Sequence, residues 1–189
     1  MQLRKLLWHF NLDLKRFTFN KIGFFSYMGP AISLVGQKRI SIGNRVRIYP
    51  GCRMETHDNG EIIINDDCSI AQNFHITSSE LPLVIGAKTT ILGNVFITNI
   101  DHEYKNIDQH IMEQPMITKR TEIGENCFIG FGAAIQAGTV LGKQCIVGTN
   151  AVVRGEFPDY SVIVGAPAKV VKQYNKETGC LLYTSDAAD

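Results

Sequence analysis

The stretch that decides the fold runs from Ile117 to Val153 and reads ITKRTEIGENCFIGFGAAIQAGTVLGKQCIVGTNAVV. An aliphatic residue recurs in it at every sixth position: Ile117, Ile123, Ile129, Ile135, Leu141, Val147 and Val153. A six-residue step is too short for a repeat built from helices and is typical of short strands joined by tight turns. Glycine often follows the aliphatic residue, as expected where the chain turns sharply.

The same spacing occurs upstream in three shorter groups that insertions separate. These groups are Ile42, Ile48, Met54; Ile64, Ile70, Ile76; and Ile85, Ile91, Ile97. The four groups together comprise sixteen strand positions, a little over five coils. The pattern predicts an all-β fold, a parallel β-helix in which three strands make one coil and stacked coils bury aliphatic side chains. Ordinary β-hairpins are the alternative, and seven unbroken steps argue against them.

Four cysteines fit this repeat, because each lies four residues after a repeat aliphatic. They are Cys52, Cys68, Cys127 and Cys145. This position predicts small, buried core residues of a protein in a reducing compartment. Disulfides or a metal site are the alternative, but the sequence contains no Cys-x-x-Cys pair.

The N-terminal segment LRKLLWHFNLDLKRF has leucine and phenylalanine at helical spacing, with lysine and arginine among them. We expect a helix that caps the open end of the solenoid. The alternative is a basic amphipathic segment that rests on an anionic membrane.

The sequence also predicts how the chain is divided. We expect the helix and cap at residues 1–30 and the β-helix at residues 31–165, with a loop at 98–116. Pro167 suits a first helical turn, so a short helix is predicted at 166–176. Residues 177–189 follow no pattern. We assign them to a tail that need not be native, and the fold prediction does not use them.

Composition excludes several classes. With 44% apolar residues, 20% charged residues and a formal net charge of +1, the chain has no global field that would attract nucleic acid. Neither a membrane-spanning apolar run nor a signal-peptide pattern is evident. The expected location is the cytoplasm, with the inner face of the cytoplasmic membrane as a variant if the N-terminal segment contacts lipid.

The longest interruption of the repeat, TNIDHEYKNIDQHIMEQPM between Ile97 and Ile117, is the candidate site. Long excursions from a rigid scaffold are disproportionately functional. His102 lies near its start, and a histidine with an ordinary pKa can accept a proton at neutral pH. An idle, exposed loop histidine is the alternative. Asp101 and Glu103 flank His102, but neighbours in an extended chain point to opposite sides, so neither is an assured partner.

The repeat, the ITNIDH sequence that leaves it, the QPMITK return and the closing YSVIVGAPAKVV resemble the hexapeptide-repeat acyltransferases. The resemblance covers about Ile42 to Gln173 and is to the galactoside, maltose and polysaccharide O-acetyltransferases. It implies a left-handed parallel β-helix and a homotrimer, with acetyl-CoA as co-substrate in the groove between subunits. A general-base histidine stands seventeen residues after the isoleucine of an Ile-Gly pair in that family, and His102 has this spacing from Ile85.

The resemblance also implies substrate-binding residues. Either Asn73 or His75 falls at the acceptor-binding position, and Phe128 stands where relatives carry tryptophan. The following residues are expected around CoA, the glycines and alanine through their backbone and the basic residues through its phosphates: Gly130, Gly132, Gly148, Ala151, Arg154, Lys169 and Lys172.

The function expected from these residues is acetyl transfer to a sugar hydroxyl by direct attack with His102 as base, in surface polysaccharide synthesis. N-acetylation of an amino sugar and O-acetylation of serine are alternatives. A zinc carbonic anhydrase of the same fold is a remote alternative, because His102, His110 and His75 are poorly spaced for binding one metal ion. A non-catalytic assembly subunit is the last alternative. We expect no metal.

Overall fold

The computed structural model describes residues 2–184 and consists mainly of short parallel strands wound around one core. With strands numbered in chain order, each coil places one strand on each of three faces. The first face contains β1 (Lys21–Ile22), β4 (Ile40–Ile42), β7 (Glu61–Ile64), β10 (Pro82–Ile85), β15 (Thr121–Ile123), β18 (Val140–Leu141) and β21 (Glu156–Phe157). The second contains β2 (Tyr27–Met28), β5 (Arg47–Ile48), β8 (Ser69–Ile70), β11 (Thr90–Ile91), β16 (Phe128–Ile129), β19 (Ile146–Val147) and β22 (Ser161–Gly165). The third contains β3 (Ser33–Val35), β6 (Arg53–His57), β9 (His75–Ser79), β12 (Phe96–Thr98), β17 (Ala134–Ile135) and β20 (Val152–Val153).

The aliphatic repeat forms the core because its residues stack in register between coils. On the second face Ile70 lies over Ile48, Ile91 over Ile70 and Ile129 over Ile91. All four are fully buried. The prediction of a parallel solenoid with an aliphatic column is therefore confirmed, at about six turns.

Two details of the prediction were wrong: the role of Ile117 and the residue at which the β-helix begins. Ile117 is not a stacked residue but lies in an antiparallel strand pair opposite Asp101, half-buried, because the chain is still in the excursion at that point. The stack begins earlier than residue 31, since β1 and β2 already pair in parallel with the second coil.

The insertions all occur at one corner, where the third face turns into the first. They separate β3 from β4, β6 from β7, β9 from β10 and β12 from β15. The longest of them is the predicted loop at 98–116. It is an ordered hairpin of β13 (Ile100–His102) and β14 (Met116–Thr118), with a 3-10 helix at Ile111–Glu113 between them.

The predicted N-terminal helix is present as α1 (Gln2–Leu14), and it packs against β2 of the first coil. Leu12 is buried against the coil, and Trp8 contacts the rings of Tyr27 and Tyr49 at centroid distances of 6.1 and 6.3 Å. No helix among residues 2–184 combines the length and the hydropathy that a membrane span requires.

The predicted helix at 166–176 was wrong. The chain instead reverses after β22 and forms β23 (Ala168–Asn175), which pairs antiparallel with β22. The last coil leaves a strand edge with unpaired backbone groups, and a β-branched segment satisfies them better than a helix would. β24 (Cys180–Tyr183) continues this sheet within the predicted tail. Residues 185–189 of that tail lie outside the described residues.

The predicted burial of the four repeat cysteines is confirmed. All five cysteines are free thiols, and Cys52, Cys68, Cys127 and Cys145 are buried. Burial raises the pKa of Cys52 and Cys68 to about 11. These thiols are therefore uncharged core groups at neutral pH.

Candidate active site

The hairpin that carries His102 is anchored at its base by Asn99. This side chain is fully buried, and its Oδ1 accepts a hydrogen bond from the Ser79 amide at 2.9 Å. Its Nδ2 donates to the Ser78 hydroxyl (3.2 Å) and to the carbonyls of Ser79 (3.1 Å) and Leu81 (2.9 Å). An amide that satisfies both of its ends in the interior fixes the point where the hairpin leaves the third face.

Asp101 ties the hairpin to a later coil. Its carboxylate forms an ion pair with Arg154 and lies 3.7 Å from Lys119 Nζ. Burial would raise the pKa of Asp101, but the hydrogen bond from the His102 backbone and the Arg154 guanidinium outweigh it and lower that pKa. Asp101 is therefore charged at neutral pH and acts as a strap between segments 53 residues apart.

Neither neighbour of His102 directs its carboxylate at the imidazole. Asp101 Oδ1 accepts from the His102 backbone N–H at 3.1 Å, and its Oδ2 faces Arg154. The Glu103 carboxylate accepts from the Tyr104 backbone and lies 3.3 Å from Lys105 Nζ. In this structure, therefore, neither the Asp101 nor the Glu103 carboxylate is a hydrogen-bond partner of the His102 ring.

His102 itself is half-buried in β13, opposite Met116. Its Nδ1 is buried and has no hydrogen-bond partner among the described residues. A buried polar atom without a partner costs about 1–3 kcal/mol, so it needs an explanation. A catalytic role is one explanation for such an unpaired group in a native fold.

A cleft of about 600 Å³ lies beside His102. The outer surface of the third face forms its floor and the hairpin forms its wall. The floor has Arg53, Glu55, His57, Asp58, His75, Thr77, Phe96 and Thr98, and the wall has Ile100, His102, Met112 and Met116. This volume falls in the range of small-molecule sites.

Strand register places the floor residues in two columns. Arg53, His75 and Phe96 lie opposite one another on successive coils, and Glu55 and Thr77 form the adjacent column. The residues of one column come from chain positions about twenty apart, so their assembly depends on the coil length.

Arg53 and Glu55 form a fixed ion pair in the floor. Their atoms meet twice, at 2.8 Å from Nε to Oε1 and at 2.9 Å from Nη2 to Oε2. The Arg53 guanidinium lowers the pKa of Glu55 to about 2, and the Ser33 hydroxyl, 2.7 Å from Oε1, adds to that effect against burial. Glu55 is buried while half of the Arg53 side chain stays exposed, so the pair presents a positioned cation to the cleft.

His75 reaches the same cleft from the next coil. Burial lowers its pKa, and the positive charge of Arg53 lowers it further. The imidazole is therefore neutral at pH 7, with Nε2 3.0 Å from the Thr77 hydroxyl and the ring edge-on to Phe96 at 5.1 Å.

The predicted acceptor residues are thus separated by the structure. His75 lines the cleft with His102, whereas Asn73 is exposed at a corner and donates to Asn94 at 3.0 Å. Phe128 is 42% exposed on the second face and does not line this cleft within one chain.

The predicted cofactor glycines share one corner, between the second and third faces. A Cβ at Gly130 would lie 2.6 Å from the Thr149 nitrogen, and Gly132 has a φ of +70° that favours glycine. Gly148 takes the position of Gly130 on the next coil, beside β22. The coil corner alone accounts for these glycines. Ala151 differs, since its side chain is fully buried and its backbone N–H and C=O bond to Gly148 and Ala134.

The predicted cationic residues do not converge. Arg154 binds Asp101 and the Ala137 carbonyl, so its guanidinium is held at the base of the hairpin. Lys169 is exposed on β23, and the Lys172 ammonium lies over the Tyr183 ring at 4.3 Å. Within one chain these three side chains form no common phosphate site.

Sequence reasoning missed most of the cleft floor. Arg53, Glu55 and Phe96 occupy outward positions of the repeat, where almost any residue is accepted, so the six-residue pattern does not reveal them. Asn99 was detectable in principle, as an amide two residues after the last repeat aliphatic, Ile97. Among residues 2–184 no three His, Cys, Asp or Glu side chains are grouped so as to hold a metal ion.

Comparison with known proteins agrees with this architecture. The family model described as bacterial transferase hexapeptide (six repeats) matches residues 120–155. The protein named "Putative lipopolysaccharide biosynthesis O-acetyl transferase WbbJ" of Escherichia coli (strain K12) is 34% identical over 148 residues, which are 74% of each protein.

Two solved structures share the fold at lower identity. AntD, an N-acyltransferase from Bacillus cereus in complex with dTDP and 3-hydroxybutyryl-CoA, superposes with a TM-score of 0.75 at 19% identity, covering 89% of this chain and 90% of AntD. Galactoside acetyltransferase in complex with coenzyme A gives 0.57 at 19% identity, covering 92% and 74%. The extent of the match to WbbJ, taken with the repeat, shows that the chain belongs to the hexapeptide-repeat acyltransferase superfamily and is an acetyltransferase of that family.

Proposed function

We propose that this protein transfers the acetyl group of acetyl-CoA to a hydroxyl group of a sugar unit during the synthesis of a surface polysaccharide or lipopolysaccharide. The observation that carries the proposal is the His102 imidazole, which lines a sugar-sized cleft and has a buried nitrogen without a partner. The similarity to WbbJ supports the glycan class of acceptor.

His102 acts as the general base. A neutral imidazole has one protonated and one free nitrogen, and the free nitrogen takes the proton of the acceptor hydroxyl. The hydroxyl oxygen forms its bond to the thioester carbonyl carbon as the carbon–sulfur bond breaks. The imidazolium then returns the proton to the sulfur, so the products are an acetyl ester and the CoA thiol. No acyl group is attached to the protein at any stage.

The floor of the cleft suits a sugar acceptor. Phe96 and the neutral His75 offer ring surfaces, while Arg53 and Thr77 offer donors at fixed places between coils. An apolar wall with few, well-placed polar groups is the usual composition of a small-molecule site. We propose that His75, rather than Asn73, contacts the acceptor.

CoA is expected along the corner that contains Gly130, Gly132 and Gly148, where small residues permit close approach. The Phe128 and Ile146 side chains of the second face lie opposite each other on successive coils and are 42% and 43% exposed. Such an apolar strip suits a subunit interface. We propose that the protein is a homotrimer of left-handed β-helices and that a neighbouring subunit completes the CoA groove, with Lys169 and Lys172 near the phosphates.

The test is a thiol-release assay with acetyl-CoA and a panel of sugars and oligosaccharides. His102→Ala should lose at least about a hundredfold in kcat/KM while keeping the mass and the thermal unfolding of the parent. His110→Asn is the matched control, because His110 lies in the same hairpin and only caps a 3-10 helix through Nδ1. Full activity in His102→Ala, or equal losses in both variants, would refute the mechanism.

The same panel should contain an amino sugar and serine. Thiol release with the amino sugar alone, or with serine alone, would overturn the sugar-hydroxyl assignment while leaving the base mechanism intact. Mass measurement in solution tests the trimer, and an experimentally determined structure tests the handedness.

A further inference from the structure

The N-terminal end of the solenoid exposes an apolar surface that the fold does not need. Helix α1 has two distinct faces. Its inner face packs on the first coil through Trp8 and Leu12, and the Lys5 ammonium and the His9 ring bond to Tyr49 and to the Ser26 carbonyl. The fold therefore uses a mixed polar and apolar face of α1.

The outer face of α1 is the more apolar one. Leu3, Leu6, Leu7, Phe10 and Leu14 follow helical spacing on one side of the helix, and each is at least 57% exposed. We call these five residues the outer face. A stripe of this kind is unusual on a soluble surface and marks a site of interaction.

A second exposed apolar feature lies on the first coil, at the corner between the first and second faces. Phe24 and Phe25 are 65% and 77% exposed there. Phe25 has a φ of 58°, in the left-handed region that bulky residues disfavour. Arg16, two residues beyond the end of α1, places its guanidinium 5.1 Å from the Phe24 ring. The corner is therefore adjacent to the end of the helix.

The later coils show what this corner requires. At the position of Phe25 each coil has a residue with positive φ whose amide donates to the preceding coil. These residues are Arg45, Asp67, Lys88, Asn126, Gln144 and Tyr160. The other aromatic residue at this position, Tyr160, is half-buried and packs against Tyr174. Phe25 is instead 77% exposed, so most of its ring makes no contact with the fold.

The charge of the chain is strongly divided along the solenoid axis. Residues 1–49 contain nine lysines and arginines and one aspartate, whereas the remaining residues contain ten lysines and arginines against seventeen aspartates and glutamates. The near-zero net charge of the whole chain conceals this division. Arg4, Lys15, Lys21 and Lys38 are among the exposed cations of the basic end.

We propose that this end of the solenoid docks onto an anionic lipid bilayer, with the outer face of α1 and the Phe24–Phe25 corner inserted among the lipids. A basic helix with a leucine and phenylalanine face is the form that lies in a membrane interface. Insertion suits a helix face and a protruding corner. A second copy of the same end is disfavoured as the occupant, because it would bring two sets of nine cations together.

The test is co-sedimentation of the full chain with vesicles of phosphatidylcholine, with and without phosphatidylglycerol. We expect binding to the anionic vesicles, weak binding to the neutral ones and release by added salt. The substitutions Arg4→Gln and Lys15→Gln each remove one positive charge. Each should weaken binding to the anionic vesicles about fivefold. The assay contains no acetyl-CoA and no acceptor, so its result is independent of the proposed enzyme activity.

Two apolar variants separate insertion from stability. The double variant Leu6→Gln, Phe10→Gln should lose binding at least about tenfold, whereas the control Leu181→Gln, Leu182→Gln, at the other end of the solenoid, should bind as the parent does. Phe25→Asn places at this corner the residue type found at position 126. It should weaken binding without lowering the thermal unfolding temperature, since asparagine tolerates the left-handed conformation.

Three results would overturn the proposal. One is the absence of binding to anionic vesicles, and another is equal binding by the Leu6, Phe10 double variant and the parent. The third is a parent that ignores vesicles but changes its oligomeric mass when Leu6 and Phe10 are replaced, which would make the outer face a contact between copies.

Discussion

The hydrogen bonds of Asn99 predict that replacing it with alanine will disturb both stability and catalysis. Asn99 is the buried link between the third coil and the hairpin that carries His102. The substitution removes every side-chain bond at this link without touching the cleft. It therefore separates the positioning of His102 from its chemistry.

The expected loss of stability follows from the hydrogen bonds that each partner of Asn99 keeps after the substitution. The carbonyls of Ser79 and Leu81 keep other donors, the Leu81 amide and the Ser78 hydroxyl. The Ser79 amide loses the Asn99 acceptor in a site where Ser79 is 1% exposed. A buried amide left without a partner costs about 1–3 kcal/mol, and the lost bonds from Nδ2 add to it. We therefore expect a fall of about 2–4 kcal/mol in the free energy of unfolding.

Urea unfolding measures this fall, and the thiol-release assay measures its consequence. Because small displacements of a reacting group cost up to about a hundredfold in rate, kcat/KM of Asn99→Ala should drop by about ten- to a hundredfold. Asn59→Ala is the matched control, since Asn59 is exposed and makes one 3.3 Å bond to Glu80. An Asn99→Ala protein within about 0.5 kcal/mol of the parent, or one with unchanged kcat/KM, would refute the anchoring role.

Two further predictions concern the core and the cleft floor. Ile129→Ala should cost about 2–5 kcal/mol in thermal or urea unfolding by leaving a cavity in the fully buried column. Ile63→Ala, at a half-buried outward position of β7, should cost clearly less, and similar losses would contradict the stacking. Because the pKa of Glu55 is lowered to about 2 in the fold, its ion pair stabilises the protein above the ordinary carboxyl pKa and this contribution is lost as pH falls toward 2. Glu55→Gln should flatten that acid dependence of the unfolding temperature, and parallel curves for the two proteins would count against the pair.

The repeat could be interpreted from sequence because its signal is local and periodic. One aliphatic residue in six is enough to identify the stacked strands, the buried cysteines and the position of the excursion. The period fails where the chain stops stacking. Ile117 kept the spacing but paired with Asp101, and the segment after Pro167 formed a strand because the last coil left an edge to cover.

The cleft could not be predicted from the local pattern, because its residues come from distant parts of the chain. Arg53, His75 and Phe96 meet because the coils between them have nearly equal lengths, and Asp101 meets Arg154 across 53 residues because the hairpin folds back onto the stack. The sequence alone also did not reveal which face of α1 would pack on the first coil, and that packing buried Leu12 and left the outer face exposed.

The sequence by itself determined the inward side of this protein: a column of aliphatic residues, a solenoid to contain it and a histidine at the one long departure from it. Only the tertiary structure decided the outward side, including the cleft floor, the anchors of His102 and the apolar face that α1 exposes. The physical reason is that burial constrains the stacked repeat positions to be aliphatic and the other inward positions to be small. Outward positions acquire partners only when insertion lengths bring distant coils and the hairpin into contact.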